Sequence, residues 1–534
     1  WQRFGQDMLK KINGMFAFVI YDEPNKRLFL ARDRLGQKPL WYSITSDRII
    51  FASEAKALLA HPLIEKVKQI EPESVGFYLT IGYVPAPKSI WKGILKLLPG
   101  HYLTVSVGKT SPEIVRYWTV PAEGSKSADE KTHDEVIQTV RSLLLSAVEK
   151  RMVADVPLGA LLSGGIDSSI IAALMCKSAG SAGGVRTFTA GFAEGDFDDR
   201  PIAARVAEFL KTDHTELLIT PGDFDLPSLI DKLVYQYDEP FADSSALPTY
   251  LICNAARQHV TVALDGDGGD EVFCGYDRYR AMRLIENLCP LGWVGVKIAA
   301  GAARLIAPDD ERSKLTRLIR FSAGLDNPPS KAYFIYRRLF SPEQLDFIME
   351  RDFAQSARIN QPEQWFCDLY EQADFDDEPA YAQRHDLMTY LPDDLMVKAD
   401  IASMANSLEL RSPMLDYELI EFALTLPVEY RLRGRVLLRS KAILRDAFED
   451  MLPEGHFNRP KRGFAAPIHR WLWSELAEML RETLLEGPLV KSGWFARLPL
   501  GRLIDEQLTG KADHRHRLWA LLWLGRWMMK EGIA

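Results

Sequence analysis

Residues 163–169 (SGGIDSS) combine glycines, hydroxyls and one carboxylate between an apolar run at 158–162 and a helical pattern. A strand, a glycine turn and a helix start in this order direct free backbone N–H groups and the positive end of the helix dipole toward an anion. Gly164 and Gly165 allow close approach to a pyrophosphate, the serines add donors, and Asp167 supplies a carboxylate for a phosphate-bridging Mg²⁺. The segment predicts a phosphate site.

Two other interpretations of this segment are a P-loop and a simple capped helix start. The common P-loop pattern does not fit, because no lysine occupies the loop; the Gly-Lys-Thr at 108–110 has Leu103 where the first glycine should stand. A helix start capped by Ser or Asp after a tight turn remains an alternative. A second loop downstream favours the phosphate interpretation.

That second loop, residues 265–271 (DGDGGDE), directly follows the β-branched run at 260–264. A calcium-binding EF-hand needs Asp or Asn at its fifth position, Gly at its sixth and Glu at its twelfth, where this chain has Gly269, Asp270 and Tyr276. Four carboxylates are also too anionic to hold phosphate unaided, which indicates a bridging metal. Asp167 and Asp270 are therefore the candidate Mg²⁺ ligands, one from each loop.

Composition limits the classes of function. A chain of 534 residues is expected to form two or three domains, and 47% hydrophobic with 26% charged residues is typical of globular proteins. No apolar stretch of about 18 residues and no signal sequence is present, so we expect no membrane association and a cytoplasmic location. A net charge of −8 argues against nucleic-acid partners, and five scattered cysteines indicate reduced thiols.

The order of patterns along the chain predicts an α/β protein. Short alternating strands up to about residue 121 indicate an antiparallel β layer, and the polar residues 122–131 indicate a linker. Helices and strands then alternate, which predicts a doubly wound parallel sheet whose ligands bind beyond the strand C-termini. The predicted elements are helices at 133–152 and 201–210 and strands at 185–192, 214–219 and 260–264. After about residue 276 the pattern is helical, with core-facing Trp471, Trp473, Trp519, Trp523 and Trp527.

Together, the two loops closely resemble the ATP-pyrophosphatase loops of glutamine-dependent asparagine synthetases, and the resemblance extends over essentially the whole chain. Several further segments match the family in its order. They are residues 14–18 (GMFAF), 32–40 (RDRLGQKPL), 51–58 (FASEAKAL), 98–102 (LPGHY), 394–398 (DLMVK), 403–404 (SM), 407–416 (SLELRSPMLD) and 460–464 (PKRGF).

The resemblance implies three regions and one reaction. Residues 1–121 would be the C-terminal part of an Ntn-type class II glutaminase domain, 122–131 a linker, and 132–534 a PP-loop ATP-pyrophosphatase, or asparagine synthetase, domain with a helical C-terminal part. The acceptor carboxylate, by default aspartate, would attack the α-phosphorus of ATP and release pyrophosphate. Ammonia, drawn from glutamine in the full-length protein, would then displace AMP. Relatives are often dimers, so the resemblance also allows a homodimer.

Site residues follow from the resemblance position by position. Lys461 matches a lysine that stabilises displacement at phosphorus, Lys441 a second lysine near pyrophosphate, and Asp267 an acid linked to forming the aspartyl-adenylate. Asp167 and Asp270 remain the Mg²⁺ ligands. The implied ATP contacts are Leu162, Ser163, Gly164, Gly165, Asp167, Ser168, Ser169, Ala190, Asp265 and Gly266.

Three departures from the family pattern bear on function. The family's glutaminase nucleophile is an N-terminal cysteine, whereas residue 1 is Trp1, so we expect a fragment that does not hydrolyse glutamine. Ser244 stands where the family carries an arginine that grips aspartate, so the site needs another cation or binds another acceptor, such as a surface-polysaccharide uronic acid. Asp265 replaces a common serine and adds a charge that must be offset.

The alternatives to a ligase are a tRNA-modifying enzyme and an inactive binding protein. A PP-loop enzyme that thiolates tRNA is disfavoured by the acidic balance and the missing cysteine pair. An inactive truncated relative that acts as a binding protein is disfavoured by the intact loops and favoured by the truncation.

Overall fold

The computed structural model describes most of the chain. The described residues are 1–45, 48–66, 68–109, 111–121, 131–180, 184–192, 198–220, 222, 224–288, 290–304, 313–372, 375–435, 437–458 and 467–533. The predicted linker at 122–131 lies outside these residues except for Lys131.

The strands, in chain order, are β1 Ala17–Asp22, β2 Arg27–Arg32, β3 Trp41–Ile44, β4 Ile49–Ala52, β5 Ile94–Lys96, β6 His101–Ser106, β7 Glu113–Arg116, β8 Leu158–Leu161, β9 Arg186–Phe192, β10 Asp213–Ile219, β11 Val262–Leu264, β12 Glu409–Arg411, β13 Leu432–Arg433 and β14 Arg439–Ser440.

The helices are α1 Ala55–Leu59, α2 Pro62–Glu65, α3 Pro72–Ile81, α4 His133–Met152, α5 Ile166–Ala179, α6 Arg200–Leu210, α7 Leu226–Tyr237, α8 Ala246–Arg257, α9 Gly269–Val272, α10 Asp277–Asn287, α11 Pro290–Ala303, α12 Lys314–Gly324, α13 Pro329–Arg337, α14 Pro342–Ile348, α15 Arg351–Ser356, α16 Gln361–Tyr370, α17 Glu378–Met388, α18 Met396–Met404, α19 Tyr417–Thr425, α20 Val428–Arg431, α21 Ala442–Phe448, α22 Ile468–Trp473, α23 Ala477–Arg481, α24 Pro488–Lys491, α25 Arg497–Leu508 and α26 Arg515–Lys530. Within the described ranges, every helix is too short or too polar to span a bilayer.

The N-terminal layer consists of two antiparallel sheets, with strand orders β1-β2-β6-β7 and β4-β3-β5. Strand β2 is buried on both faces. Successive side chains point to opposite sides of a strand, so its residues alternate between two apolar clusters. Leu30 packs into one apolar cluster, whereas Phe29 and Ala31 pack into another. The predicted antiparallel β layer is confirmed.

The second layer is a parallel sheet with the strand order β10-β9-β8-β11-β12. The chain adds β9 and β10 on one side of β8, then crosses to add β11 and β12 on the other. Strand order therefore reverses between β8 and β11, and ligands of open α/β sheets bind at such a point. Helix α4, which begins with a capping box of Thr132 and Glu135, matches its predicted bounds. The predicted α/β class with a helical C-terminal part is confirmed.

Two expectations for the C-terminal part were wrong in detail. Strand β12 completes the parallel sheet from within the segment predicted to be wholly helical; its three residues carry charges at both ends and show no apolar run. Trp471, Trp519, Trp523 and Trp527 are buried as predicted, but Trp473 is 43% exposed. Positions two apart on a helix face different sides, so Trp471 and Trp473 of α22 do not share the core.

Replacing Gly164 by alanine should lower the thermal unfolding temperature strongly. Its φ is +70°, and an added Cβ would lie 2.6 Å from Cγ2 of Ile202 and 2.9 Å from the backbone nitrogen of Ala203. We expect a cost of about 2–4 kcal/mol from strain and overpacking. Gly493 has a similar φ of +73° but no described atom within 4 Å of an added Cβ, so G493A should cost only about 1 kcal/mol. Equal shifts for the two variants would contradict this packing.

Candidate active site

The first loop links the end of β8 to the start of α5, at the point where strand order reverses. Ser163 Oγ lies 3.0 Å from Ser168 Oγ and accepts a hydrogen bond of 3.3 Å from the backbone nitrogen of Gly165. Gly165 is exposed and immediately precedes the helix. The N-terminus of a 14-residue helix is thus open to solvent next to two hydroxyl groups, an arrangement suited to an anion.

The second loop follows β11, which pairs directly with β8, and only glycines let it approach the first loop so closely. A Cβ on Gly266 would lie 2.8 Å from the backbone nitrogen of Ser168 and 2.9 Å from Cβ of Asp167. A Cβ on Gly269 would lie 2.5 Å from Oδ1 of Asp167. Any side chain at these two positions would push the loops apart, so the glycine pattern sets the distance between the candidate metal ligands.

A buried lysine joins the two loops. Lys441 forms ion pairs with Asp167 and with Asp270, the latter with Nζ 2.6 Å from Oδ1. Lys441 has a φ of +54°, immediately precedes α21, and donates its backbone N–H to the carbonyl of Phe273 at 3.1 Å. Burial opposes its charge, but Asp167 and Asp270 outweigh burial and raise the pKa of Lys441. The predicted metal ligands thus converge on one ammonium group.

The converging carboxylates of Asp167 and Asp270 fit a hard cation. Carboxylate oxygens are the ligands that Mg²⁺ prefers, and Mg²⁺ usually takes one or two of them plus phosphate oxygens and water. Within the described part of the chain, no group of three or more His, Cys, Asp or Glu side chains has the arrangement of a complete metal site. Asp167 and Asp270 would hold a Mg²⁺ that arrives with a phosphate-bearing substrate.

Burial raises the pKa of the other carboxyl groups of the second loop. Burial, followed by repulsion from Asp265, raises the pKa of Asp267 to about 7. Burial also raises the pKa of Asp265, whose Oδ1 accepts hydrogen bonds from Ser412 Oγ at 2.6 Å and from the backbone of Asp267 at 3.2 Å. Burial raises the pKa of Glu271 to about 7 as well, although Tyr276 donates to it. The extra carboxyl group at position 265 is therefore buried and hydrogen-bonded to Ser412.

The other residues predicted from the sequence to contact ATP differ in burial. Leu162 is buried and donates its backbone N–H to Phe188 of β9 at 2.8 Å. Ser169 is fully buried beneath the first loop, and Ala190 is buried within β9. Lys461 and the segment 460–464 lie outside the described residues. The structure thus brings Ser163, Asp167, Gly266, Asp270 and Lys441 together, and it places Leu162, Ser169 and Ala190 below them.

A cation beside the second loop was missed by the sequence analysis. Lys398 of α18 lies with Nζ 3.2 Å from Oδ2 of Asp243, and Asp267 contributes to raising its pKa against the effect of burial. Lys398 belongs to the segment 394–398 that matches the family, and this match was the available signal. The sequence pattern around Lys398 could not predict its pairing with Asp243, because the two residues are 155 positions apart.

Comparison with known proteins places this geometry in a family. The Asparagine synthase family model matches residues 139–530, and the Glutamine amidotransferase domain model matches residues 1–118. The chain belongs to the asparagine synthase family. Family membership supports an ATP-dependent amide-forming ligase.

Relatives of this asparagine synthase family member match most of its length. A putative glutamine-hydrolysing asparagine synthetase of Mycobacterium tuberculosis is 32% identical over 99% of this chain and 78% of its own length. Asparagine synthetase 1 of Bacillus subtilis is 29% identical over 98% of this chain and 78% of its own. The amidase chyE of Penicillium rubens is 26% identical over 90% and 75%, respectively.

Replacing Asp267 by asparagine should stabilise the metal-free, nucleotide-free protein at alkaline pH. The folded pKa of about 7 exceeds the unfolded value, so ionisation destabilises the fold increasingly between about pH 4 and pH 7. Asparagine removes this penalty, and we expect a gain on the order of 1–3 kcal/mol at pH 8 but none near pH 3. Thermal unfolding in EDTA at both pH values measures the difference. D213N, whose parent side chain is 72% exposed, should change little at either pH; a D267N gain that is independent of pH would refute the titration.

Replacing Lys441 by methionine should make the protein more dependent on Mg²⁺. Loss of the ammonium group leaves Asp167 and Asp270 to repel each other, and Mg²⁺ can supply the missing positive charge. We expect the unfolding temperature of metal-free K441M to fall by several degrees and Mg²⁺ to restore more of it than it adds to wild type, by about 2–4 °C.

Lys38→Met is the control, because Lys38 pairs with Asp400 at 2.6 Å and contacts neither loop. K38M should lose stability without gaining a Mg²⁺ response. The same Mg²⁺ response in K441M and wild type would show that the two carboxylates do not hold the metal.

Proposed function

We propose that this protein is an ATP-dependent ligase that converts aspartate to asparagine. The side-chain carboxylate of aspartate attacks the α-phosphorus of ATP, and the bond from that phosphorus to the bridging oxygen breaks, releasing pyrophosphate. Ammonia then attacks the acyl carbon of the aspartyl-adenylate, loses a proton and displaces AMP. The observation that carries the proposal is the convergence of Asp167 and Asp270 on Lys441, beside an open helix N-terminus.

Each part of the site has a role that suits charge stabilisation. The backbone N–H groups of Gly164 and Gly165 and the hydroxyl of Ser163 bind phosphate oxygens. When bound, Mg²⁺ neutralises charge on the β- and γ-phosphates. Lys441 lies where it can stabilise the leaving pyrophosphate, and the family resemblance gives Lys461 the same task at the α-phosphorus. Asp267, with a pKa of about 7, can exchange a proton at neutral pH next to the acceptor.

The division of the chain is part of the proposal. Residues 1–121 are assigned to the glutaminase domain, 122–131 to a linker and 132–534 to the synthetase domain, with glutamine as the source of ammonia in the full-length protein. The matches of the two family models support this division. Polar contacts join the two layers, among them Lys56 with Asp238 at 2.8 Å and the backbone N–H of Ala86 with Asp393 at 3.0 Å.

A second candidate acceptor is a carboxylate other than aspartate, such as a sugar acid. The neutral Ser244 favours it, because this buried residue brings no positive charge to the loop before α8. The similar protein chyE of Penicillium rubens is named an amidase, so the proteins that resemble this chain do not all carry the name asparagine synthetase.

Product analysis tests the proposed reaction. With ATP, Mg²⁺, aspartate and ammonium chloride, the chain should form AMP and pyrophosphate in equal amounts. D270N should reduce this rate by about 10²-fold or more, because it removes a charge from the metal-binding pair. D277N is the matched control, since Asp277 is exposed at the start of α10 and pairs with Arg280 and Arg317. ADP and orthophosphate as products, or full activity in D270N, would overturn the proposal.

A further inference from the structure

A charged cluster of Asp243, Asp394 and Lys398 lies beside the second loop. Lys398 forms an ion pair with Asp243, and their side chains are only 12% and 18% exposed. Ser245 donates both its backbone N–H and its hydroxyl to Asp243, at 2.8 and 2.7 Å. Burial opposes the charge of Asp243, but Lys398 and these hydrogen bonds outweigh it and lower its pKa. Asp243 is thus a fixed carboxylate anchored on the loop that precedes α8.

Asp394 is the member of the cluster with an unsatisfied oxygen atom. It lies in a wide helical turn, Leu391–Leu395, that leads into α18, and it is 8% exposed. Its Oδ1 has no hydrogen-bond partner among the residues that the structure describes. Burial and repulsion from Asp243 raise the pKa of its carboxyl group well above the ordinary value. A buried, unsatisfied carboxyl group is costly unless a ligand completes it.

The charges around Asp394 determine which ligand group would complete it. Lys398 is shared by Asp243, Asp267 and Asp394, so carboxyl groups outnumber the cation. Arg278 and Arg337 oppose part of the rise in the pKa of Asp394, but both also serve a fourth carboxylate. Arg278 is 2.7 Å from the buried Asp386, and Arg337 is 3.8 Å from its other oxygen. A cluster with this balance attracts a cationic donor and repels a second carboxylate.

The position of the charged cluster determines which end of the acceptor would carry the cationic donor. Asp394 and Lys398 lie four positions apart in the helical segment 391–404, and Lys398 in turn contacts Asp243 with Nζ 3.2 Å from Oδ2. Asp267, the acid that the proposed reaction places next to the acceptor carboxylate, acts on the same Lys398. An aspartate whose side-chain carboxylate faces the ATP loops would direct its other end, which bears the ammonium group, toward Asp394 and Asp243.

We propose that Asp394 and Asp243 bind the ammonium group of the acceptor, and that Lys398 positions these two carboxylates. The chain then selects an amino acid over a carboxylate without an amine, which separates aspartate from sugar acids. This inference rests on the proposed ligase function and adds the residues that determine acceptor class.

Succinate, which is aspartate without the amino group, tests the inference. Exchange of labelled pyrophosphate into ATP measures adenylate formation without added ammonium ions, which would compete for the same carboxylates. Wild type should use L-aspartate at least about 10²-fold better than succinate in kcat/KM, because the unsatisfied oxygen of Asp394 disfavours an acceptor that lacks the donor. D394N should lose about 10- to 100-fold with aspartate, mainly in KM, and less than about 3-fold with succinate.

Asp393→Asn is the matched control. Asp393 belongs to the same turn, but its Oδ2 accepts the backbone N–H of Ala86, a bond that asparagine can keep. D393N should retain the wild-type preference for aspartate, and activity of D394N with succinate shows that this variant is folded. If wild type uses succinate as well as aspartate, or if D394N keeps the full preference, the ammonium site is refuted while the ligase function stands. If neither acid supports exchange, the proposed conversion of aspartate fails and the inference fails with it.

Discussion

One ammonium group between two carboxylates is the interaction around which the site is built. Asp167 and Asp270 would repel each other at the distance set by the glycines of the two loops, and Lys441 offsets that repulsion. The pairing of β8 with β11 places both loops at one sheet edge. The left-handed backbone of Lys441 brings the side chain to them from a third segment. These features together bring two carboxylates, one ammonium group and a helix N-terminus to one edge of the parallel sheet, and the proposed ligase function rests on that arrangement.

The N-terminal layer supports the other end of the site. Its side chains and backbone hold the segments that immediately precede or surround the charged cluster of Asp243, Asp394 and Lys398. The contacts are Lys56 with Asp238, Lys96 with Glu239, Ala86 with Asp393 and Lys38 with Asp400. A shift of this layer would therefore move the charged cluster, which we propose as the acceptor end of the site, more than the two loops that follow β8 and β11.

Local pattern predicted the elements that create the site and failed where distant segments meet. The glycine loops, the adjacent strand ends and helix α4 all follow from periodicity and turn residues within a few positions. Strand β12 was missed because three residues with charged ends gain strand character only by pairing with β11. The burial of Asp265 against Ser412 and the placement of Lys398 beside Asp243 also depend on tertiary contacts. Trp473 was wrongly predicted to face the core. It lies two positions after Trp471 on α22 and therefore faces a different side of that helix.

Attack of the acceptor carboxylate on the α-phosphorus of ATP is the chemical step that this geometry is proposed to promote. Isotope transfer follows that step atom by atom. With L-aspartate labelled with ¹⁸O in both oxygens of its side-chain carboxylate, one label should appear in the phosphate of AMP and the other should stay in the amide of asparagine, as read by mass spectrometry. Unlabelled AMP, or label in orthophosphate, would show that the carboxylate is not activated as an adenylate.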